Sequence, residues 1–330
     1  MSIVDELRPI FKPETIAVIG ASRSHLKIGY ETLLNTLVGG FKGKVYPVNP
    51  EAPDIMGLRA YPSVLAIKDE IDLALIVVPA AYVAKVMKEC AQKKVKGAII
   101  ISAGFGEIGP EGKKLEDEVI QIAKKAKIRV LGPNTMGYKS PVDNIDASFV
   151  FGMANPGRIA LVSQSGALCI GMIHYANSER IGLSRIISIG NKADVDDADL
   201  IEYLDQDDAT DVMALYIEGI RNGRKFLDAA RRAKKPIIAM KAGRTKSGAE
   251  ATKTHTGSLS GSDQVYDSAF RQVRIQRALD VEEMFDCARA LAYQPPARGN
   301  RVGIVTNGGG AGVILSDWLE DMGLSVPDLE

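Results

Sequence analysis

Leu73-Ala74-Leu75-Ile76-Val77-Val78, followed at once by Pro79-Ala80, is the stretch that decides the fold. A strand with one face in water alternates apolar and polar residues, whereas an unbroken apolar run of this length is covered on both faces, the condition of a parallel sheet wound by crossovers. Working outward, the same signature recurs at Ile16 to Ile19, Val45 to Val48, Ala98 to Ile101, Arg129 to Leu131, Ile159 to Val162, Ile186 to Ile189, Val212 to Ile217, Ile237 to Met240 and Val302 to Val305. Most of these runs alternate with helical stretches. The expected class is a doubly wound α/β architecture.

The runs fall into groups. Those up to Leu131 precede a stretch without clear periodicity, Gly132 to Asn155, after which Pro156-Gly157 opens a new strand. The next four, with their helices, fill the chain as far as Gln294-Pro295-Pro296-Ala297-Arg298-Gly299, whose composition is that of a stiff linker. A first domain is therefore expected over residues 1–150, a second over 151–294, and from 299 to 330 the truncated start of a third α/β domain, too short to cover both faces of a parallel strand.

Composition narrows the function. With 41 basic and 41 acidic residues there is no net field to recruit nucleic acid or an anionic membrane, so neither is expected as a partner. The longest apolar stretch, Leu73 to Ala84, is shorter than the ~18–20 residues of a membrane span and is interrupted by Pro79. The start of the chain carries Asp5 and Glu6 and no secretory pattern. Cys90, Cys169 and Cys287 are too scattered for a disulfide framework or a metal clip, so the expectation is a soluble cytoplasmic protein without a metal site of its own.

Ligands of open α/β sheets sit outside the carboxyl ends of the strands, which makes those ends the candidate binding positions. Gly20-Ala21-Ser22-Arg23 lies where the first strand turns into a helix. It lacks the full dinucleotide fingerprint, and the second strand ends Val48-Asn49-Pro50 with no acid to hold a ribose, which disfavours NAD. A plain tight turn and a ligand contact are equally good readings of Gly20 alone. Val78-Pro79-Ala80 and Ser102-Ala103-Gly104-Phe105-Gly106 end two further strands, and three such ends shaped by small residues or proline suggest one extended ligand laid across them.

In the second domain, Ser163-Gln164-Ser165-Gly166-Ala167 opens an apolar helix after a strand. Free N–H groups and the positive end of the helix dipole suit phosphate or carboxylate there, though a serine cap without a ligand is common. Glu218 leaves the end of the strand Val212 to Ile217; taken alone, such an acid more often caps a helix or meets solvent. After Lys241-Ala242-Gly243-Arg244-Thr245, a long polar loop carries Thr254-His255-Thr256-Gly257-Ser258. Loops of that length in compact domains are functional or disordered, and imidazole is an adequate nucleophile at neutral pH.

Taken in order, Gly-Ala-Ser at Gly20, Val-Pro-Ala at Val78, Gly-Pro-Asn-Thr from Gly132 to Thr135, Ser-Gln-Ser-Gly-Ala at Ser163, Ile-Glu-Gly at Ile217 and Thr-His-Thr-Gly-Ser at Thr254 form a combination far more specific than any single motif. The sequence resembles ADP-forming acetyl-CoA or acyl-CoA synthetases and, more distantly, the α subunit of succinyl-CoA synthetase, from about Thr15 to the end of the chain. The resemblance implies a Rossmann-like CoA-binding domain followed by a flavodoxin-like succinyl-CoA-synthetase-type domain. It implies that Gly20, Ser22, Arg23, Asn49, Val78, Pro79, Ser102, Gly104 and Phe105 contact coenzyme A and that Asn134 lies near the thioester. It also implies that Ser163, Gln164, Ser165 and Gly166 hold phosphate, that His255 carries the phosphoryl group and that Glu218 orients it.

The implied reaction converts acyl-CoA, ADP and phosphate to carboxylic acid, CoA and ATP through acyl phosphate and phosphohistidine. ADP/ATP and Mg²⁺ would enter through an ATP-grasp β subunit or a downstream ATP-grasp domain, in an oligomer. The competing reading is a non-catalytic CoA or acyl-CoA sensor, against which His255 argues. A nicotinamide dehydrogenase rests on Gly20 alone.

Overall fold

The computed structural model describes residues 2–250 and 262–328, so His255 lies outside the described residues. The chain forms two compact units, 1–292 and 293–330.

The first unit opens with α1 (Ile3–Phe11), started by a capping box in which Ser2 and Asp5 satisfy each other's backbone N–H. The first sheet takes β1 (Thr15–Ile19), β2 (Lys44–Val48), β5 (Leu73–Ile76), β6 (Gly97–Ile100) and β7 (Arg129–Leu131). The intervening β3 (Asp54–Ile55) and β4 (Leu58–Arg59) make a separate small hairpin. The helices α2 (Ile28–Val38), α3 (Ala80–Lys93) and α4 (Pro110–Ala126) supply the crossovers. All pairings in this sheet are parallel, in the order β2-β1-β5-β6-β7. Every residue of β5 and β6 is buried, as the unbroken apolar runs demand.

The second sheet repeats the plan. Its strands β10 (Pro156–Ser163), β11 (Leu183–Ser188), β12 (Val212–Ile217), β13 (Ile237–Lys241) and β14 (Gln276–Ala278) run parallel in the order β14-β13-β12-β10-β11. The helices here are α5 (Gly166–Ser178), α6 (Asp197–Asp205), α7 (Gly223–Arg232), α8 (Asp263–Gln272) and α9 (Val281–Tyr293). The sheet is extended by an antiparallel hairpin, β8 (Gly137–Ser140) and β9 (Ile145–Ser148), which pairs with β11. That hairpin lies in the stretch read as lacking periodicity and assigned to the first domain, yet its strand pairing is with the second sheet.

One apolar cluster joins the sheets: Ile16 and Val18 of β1 share it with Val162 of β10, and Leu7, Ile10 and Phe11 of α1 lie in it fully buried. Burying a side chain of this size stabilises by about 1.5–3 kcal/mol, so α1 acts as a wedge fixing one sheet against the other. The Phe11 ring packs on Tyr138 at 5.0 Å and Tyr203 at 4.6 Å, and the Tyr138 hydroxyl donates to the Phe11 carbonyl at 3.1 Å.

In the second unit the run Val302 to Val305, expected as a strand, is not one. It is flanked by a lone parallel bridge, Arg301 to Ser325, and no further strand pairs with it among the described residues. A parallel strand needs such neighbours to satisfy its backbone. The helix that follows, α10 (Gly309–Asp321), forms as expected and leaves Val313, Ile314 and Trp318 exposed.

Candidate functional site

Both sheets reverse direction beside their first strand, between β1 and β5 in one and between β10 and β12 in the other. A crevice opens outside the carboxyl ends at such a point. Here both crevices contribute to one cleft of about 1570 Å³ within the first unit.

On the first sheet, the cleft is walled by Gly20, Val78, Pro79, Ser102 and Asn134. Gly20 has φ +96°, and a Cβ there would stand 2.7 Å from the Val77 carbonyl oxygen, so the turn presses directly on the end of β5. The start of α2 is as close, since a Cβ on Gly29 would fall 2.0 Å from the Gly20 carbonyl oxygen. Backbone alone fits between. Other expected CoA contacts hold the wall from behind. The Asn49 amide donates to the Ala21 carbonyl at 2.7 Å, and Ser22, 8% exposed, accepts from the Ser24 N–H at 3.0 Å. Phe105 is buried in the core, Gly104 donates its N–H to Glu107, and Arg23 is exposed outside the cleft lining.

On the second sheet, Gln164, Ser165, Gly166 and Glu218 line the same cleft. Ser165 caps α5, its hydroxyl accepting from the Leu168 N–H at 3.2 Å, which leaves the first-turn amides beside Gly166 at the cleft wall. Ser163 is fully buried and braces the turn by donating to the Ser165 carbonyl at 2.8 Å. Gln164 is the clamp between the two strand ends. Its side-chain carbonyl accepts from the N–H of Glu218 at 2.8 Å and of Gly219 at 3.0 Å, and its amide donates to Asp197 at 3.0 Å and to the Gly219 carbonyl at 2.9 Å. Glu218 is thereby held at 6% exposure. Burial, and then the charge and hydrogen bond of Glu218, push the Tyr216 phenol well above its ordinary value.

Asn134, expected near the thioester, has φ 58° and donates its amide to Asn191 at 3.2 Å. Several residues around it escaped the sequence reading: Asn191 donates to Glu107 at 2.6 Å and to Glu116 at 2.9 Å. Burial opposes ionisation of Glu107, but hydrogen bonds from Asn191 and the Gly104 N–H outweigh it and hold its carboxyl below the usual range. Lys192 and Arg221 also line the cleft, with the Arg221 guanidinium donating to the Lys192 carbonyl at 2.9 Å. Outside the cleft lining, Lys241, paired with Ile217 in the sheet register and 2% exposed, sits 4.7 Å from the centre of the Tyr266 ring. Burial pulls its ammonium below the ordinary lysine value despite the opposing charges of Asp263 and Glu218. Asn191, Lys192 and Arg221 follow strand ends, whereas Glu116 lies within α4 and carries no local signal.

Among the described residues, no helix is long and apolar enough to cross a membrane, and no group of three or more His, Cys, Asp or Glu side chains is placed to hold a metal ion.

The chain as a whole is similar to known proteins. Residues 14–141 match the family described as CoA binding domain, and residues 156–291 match the succinyl-CoA ligase like flavodoxin domain. The chain is 47% identical over 328 residues to the acetate–CoA ligase [ADP-forming] I subunit alpha of Pyrococcus furiosus, covering 98% of this chain and 71% of that one. It is 43% identical to the acetate–CoA ligase [ADP-forming] of Methanocaldococcus jannaschii, spanning 98% of this chain but 46% of that longer protein. Among solved structures, the dinucleotide-forming acetyl-coenzyme A synthetase 1 of Ca. Korarchaeum cryptofilum, in complex with phosphate and ADP, superposes with a TM-score of 0.94 at 45% identity, over 98% of this chain and 70% of that one.

Proposed function

The chain belongs to the family of ADP-forming acyl-CoA ligases, as an α-type chain, and from that premise we propose that its cleft brings the thioester of an acyl-CoA against phosphate. The observation that carries the reading is the meeting, in one cleft, of Asn134 from the CoA-type sheet with the Ser165–Gly166 helix start and Glu218 from the flavodoxin-type sheet. The two halves of the chemistry need those two halves of the wall.

On this reading CoA lies along Gly20, Val78, Pro79 and Ser102, where the close-packed glycine turn admits a ligand against backbone. Ser22, Arg23, Asn49, Gly104 and Phe105 support or flank that wall. Phosphate sits on Gln164, Ser165 and Gly166, where the helix terminus favours an anion by roughly 0.3–1 kcal/mol, and up to about 2 kcal/mol when partly buried. A phosphate oxygen attacks the thioester carbonyl, the C–S bond breaks, and the CoA sulfur leaves as acyl phosphate forms. The phosphoryl group then passes to the imidazole of His255, assigned by motif alone, and the carboxylic acid departs. Glu218 is suited to accept the hydrogen bond of one ring nitrogen so that the other attacks phosphorus.

Transfer from His255 to ADP falls to an ATP-grasp β subunit or downstream domain, which would bring Mg²⁺ and complete an oligomer. All of this chemistry is cytoplasmic on our reading. The test is to incubate the chain and its ATP-grasp partner with labelled ATP and Mg²⁺. Acid-labile, base-stable label that disappears in His255→Asn is the expected result. Tight CoA binding without any label would favour a CoA sensor instead.

A further inference from the structure

The loop after β11 reads Gly190-Asn191-Lys192-Ala193, and Lys192 holds a left-handed φ of 54° across from Asn134 at 58°. Non-glycine residues rarely adopt that region, and surrounding contacts must hold them there. The Lys192 side chain is 7% exposed, and its ammonium donates to Asp197 Oδ2 at 2.8 Å and to the Gly219 carbonyl. An ammonium has three N–H donors, so these two bonds leave one.

Lys192 belongs to the cleft lining together with Gln164, Ser165, Gly166 and Glu218, whereas Asp197 does not. Of the ion pair, Lys192 is the member that borders the cleft. Of the other lining cations, Lys27 is exposed and Lys113 and Arg221 are 47% and 46% exposed, so their charges are screened by solvent. A phosphate dianion beside Glu218 meets a like charge, and the helix terminus offers only about half an elementary charge to offset it. Lys192 is the buried cation fixed to the same Gly219 turn.

We propose that Lys192 is a phosphoryl-binding residue of this site, giving its third N–H to a phosphate oxygen during transfer. This rests on the reading of the cleft as an acyl-CoA and phosphate site. Lys192 forms and breaks no covalent bond; it neutralises charge on the group that moves between the thioester carbon and the imidazole.

The test titrates inorganic phosphate into the full chain, followed by ³¹P NMR, with a CoA titration on the same sample. Lys192→Met is expected to weaken phosphate at least tenfold, about 1.4 kcal/mol, and to leave CoA affinity unchanged. Lys192→Arg should recover part of the loss. Because Lys192→Met strands Asp197, the double variant Lys192→Met/Asp197→Asn removes both charges and is expected to show the same phosphate defect. Wild-type phosphate affinity in either variant, with CoA binding intact, overturns the assignment alone. Absence of phosphate binding by the wild-type chain overturns the assignment and the parent reading together.

Discussion

At the scale of single residues, the site depends on backbone atoms held where side chains would not fit. Gly190 has φ +59°, and a Cβ there would stand 2.2 Å from the Pro133 carbonyl oxygen and 2.6 Å from that of Asn134. Gly190→Ala must strain its own dihedral, at about 1–3 kcal/mol, and push Asn134 away from the cleft. The expected outcome is a lower urea midpoint together with weaker CoA binding by calorimetry; a drop in stability with CoA affinity intact would show that Asn134 is not at the thioester end. Gln164 makes the complementary case. Gln164→Ala leaves the Glu218 and Gly219 N–H groups without their acceptor. An orphaned buried donor costs about 1–3 kcal/mol. We expect destabilisation on the order of 2 kcal/mol by chemical denaturation and a collapse of phosphoryl labelling, since Glu218 loses its fixed backbone. The strand-end positions of Gly20 and Glu218 were legible in the sequence because a turn is a local feature, whereas a role for either came only with the family resemblance. Asn191, Glu107 and Glu116 were not, because Asn191 meets Glu107 across 84 residues of chain and no local pattern announces it.

Between elements, the ties are polar as well as apolar. Arg129 on β7 reaches Glu6 of α1 at 2.7 Å, Asp194 at 3.0 Å and Asp199 of α6 at 2.9 Å, so one guanidinium joins the first sheet, the wedge helix and the second sheet. Removing one partner of a largely buried ionic cluster leaves uncompensated charge and costs about 3–5 kcal/mol. Asp194 and Asp199 keep other donors, the Val130 N–H and Lys225, so Arg129→Met should fall near the lower figure by urea denaturation. A loss under about 1 kcal/mol, the range of exposed pairs, would mean that the apolar core alone holds the sheets together. The same dependence on partners explains which elements the sequence concealed. The apolar runs of the first sheet read directly as buried parallel strands. The β8–β9 hairpin did not, because Lys139, Ser140, Asp146 and Ser148 are polar and yet buried. Lys139 is satisfied there by Asp146 at 2.6 Å and by the Val150 and Gly152 carbonyls, partners known only from the folded chain. Val302 to Val305 shows the converse error, an apolar run with strand composition but no strand beside it among the described residues.

For the molecule as a whole, these buried charges set the response to acid. At Asp207, burial opposes ionisation, but the Arg185 charge, the Thr210 hydroxyl and Lys12 outweigh it and hold the carboxyl below its ordinary 3.8. Glu107 is likewise held below 4.5. For both groups the unfolded chain takes up the proton first as pH falls. Their stabilisation is therefore complete above the ordinary carboxylate range and is lost as pH drops through the unfolded and toward the folded value. Asp146 has the opposite sign: burial outweighs Lys139 and raises its carboxyl, so the folded chain protonates first and acidification returns stability at that site. The lowered groups outnumber the raised one, and the urea midpoint is expected to fall between about pH 5 and pH 3. The individual variants separate the two signs. Asp207→Asn removes a group that loses stabilisation in acid, so its pH profile should be shallower than wild type, from a lower plateau at neutral pH because Arg185 has lost its buried carboxylate. Asp146→Asn removes the compensating group, and its profile should be steeper over the same range. If both variants run parallel to the wild type, acid unfolding is driven by the exposed carboxylates, and the buried network contributes packing without pH dependence.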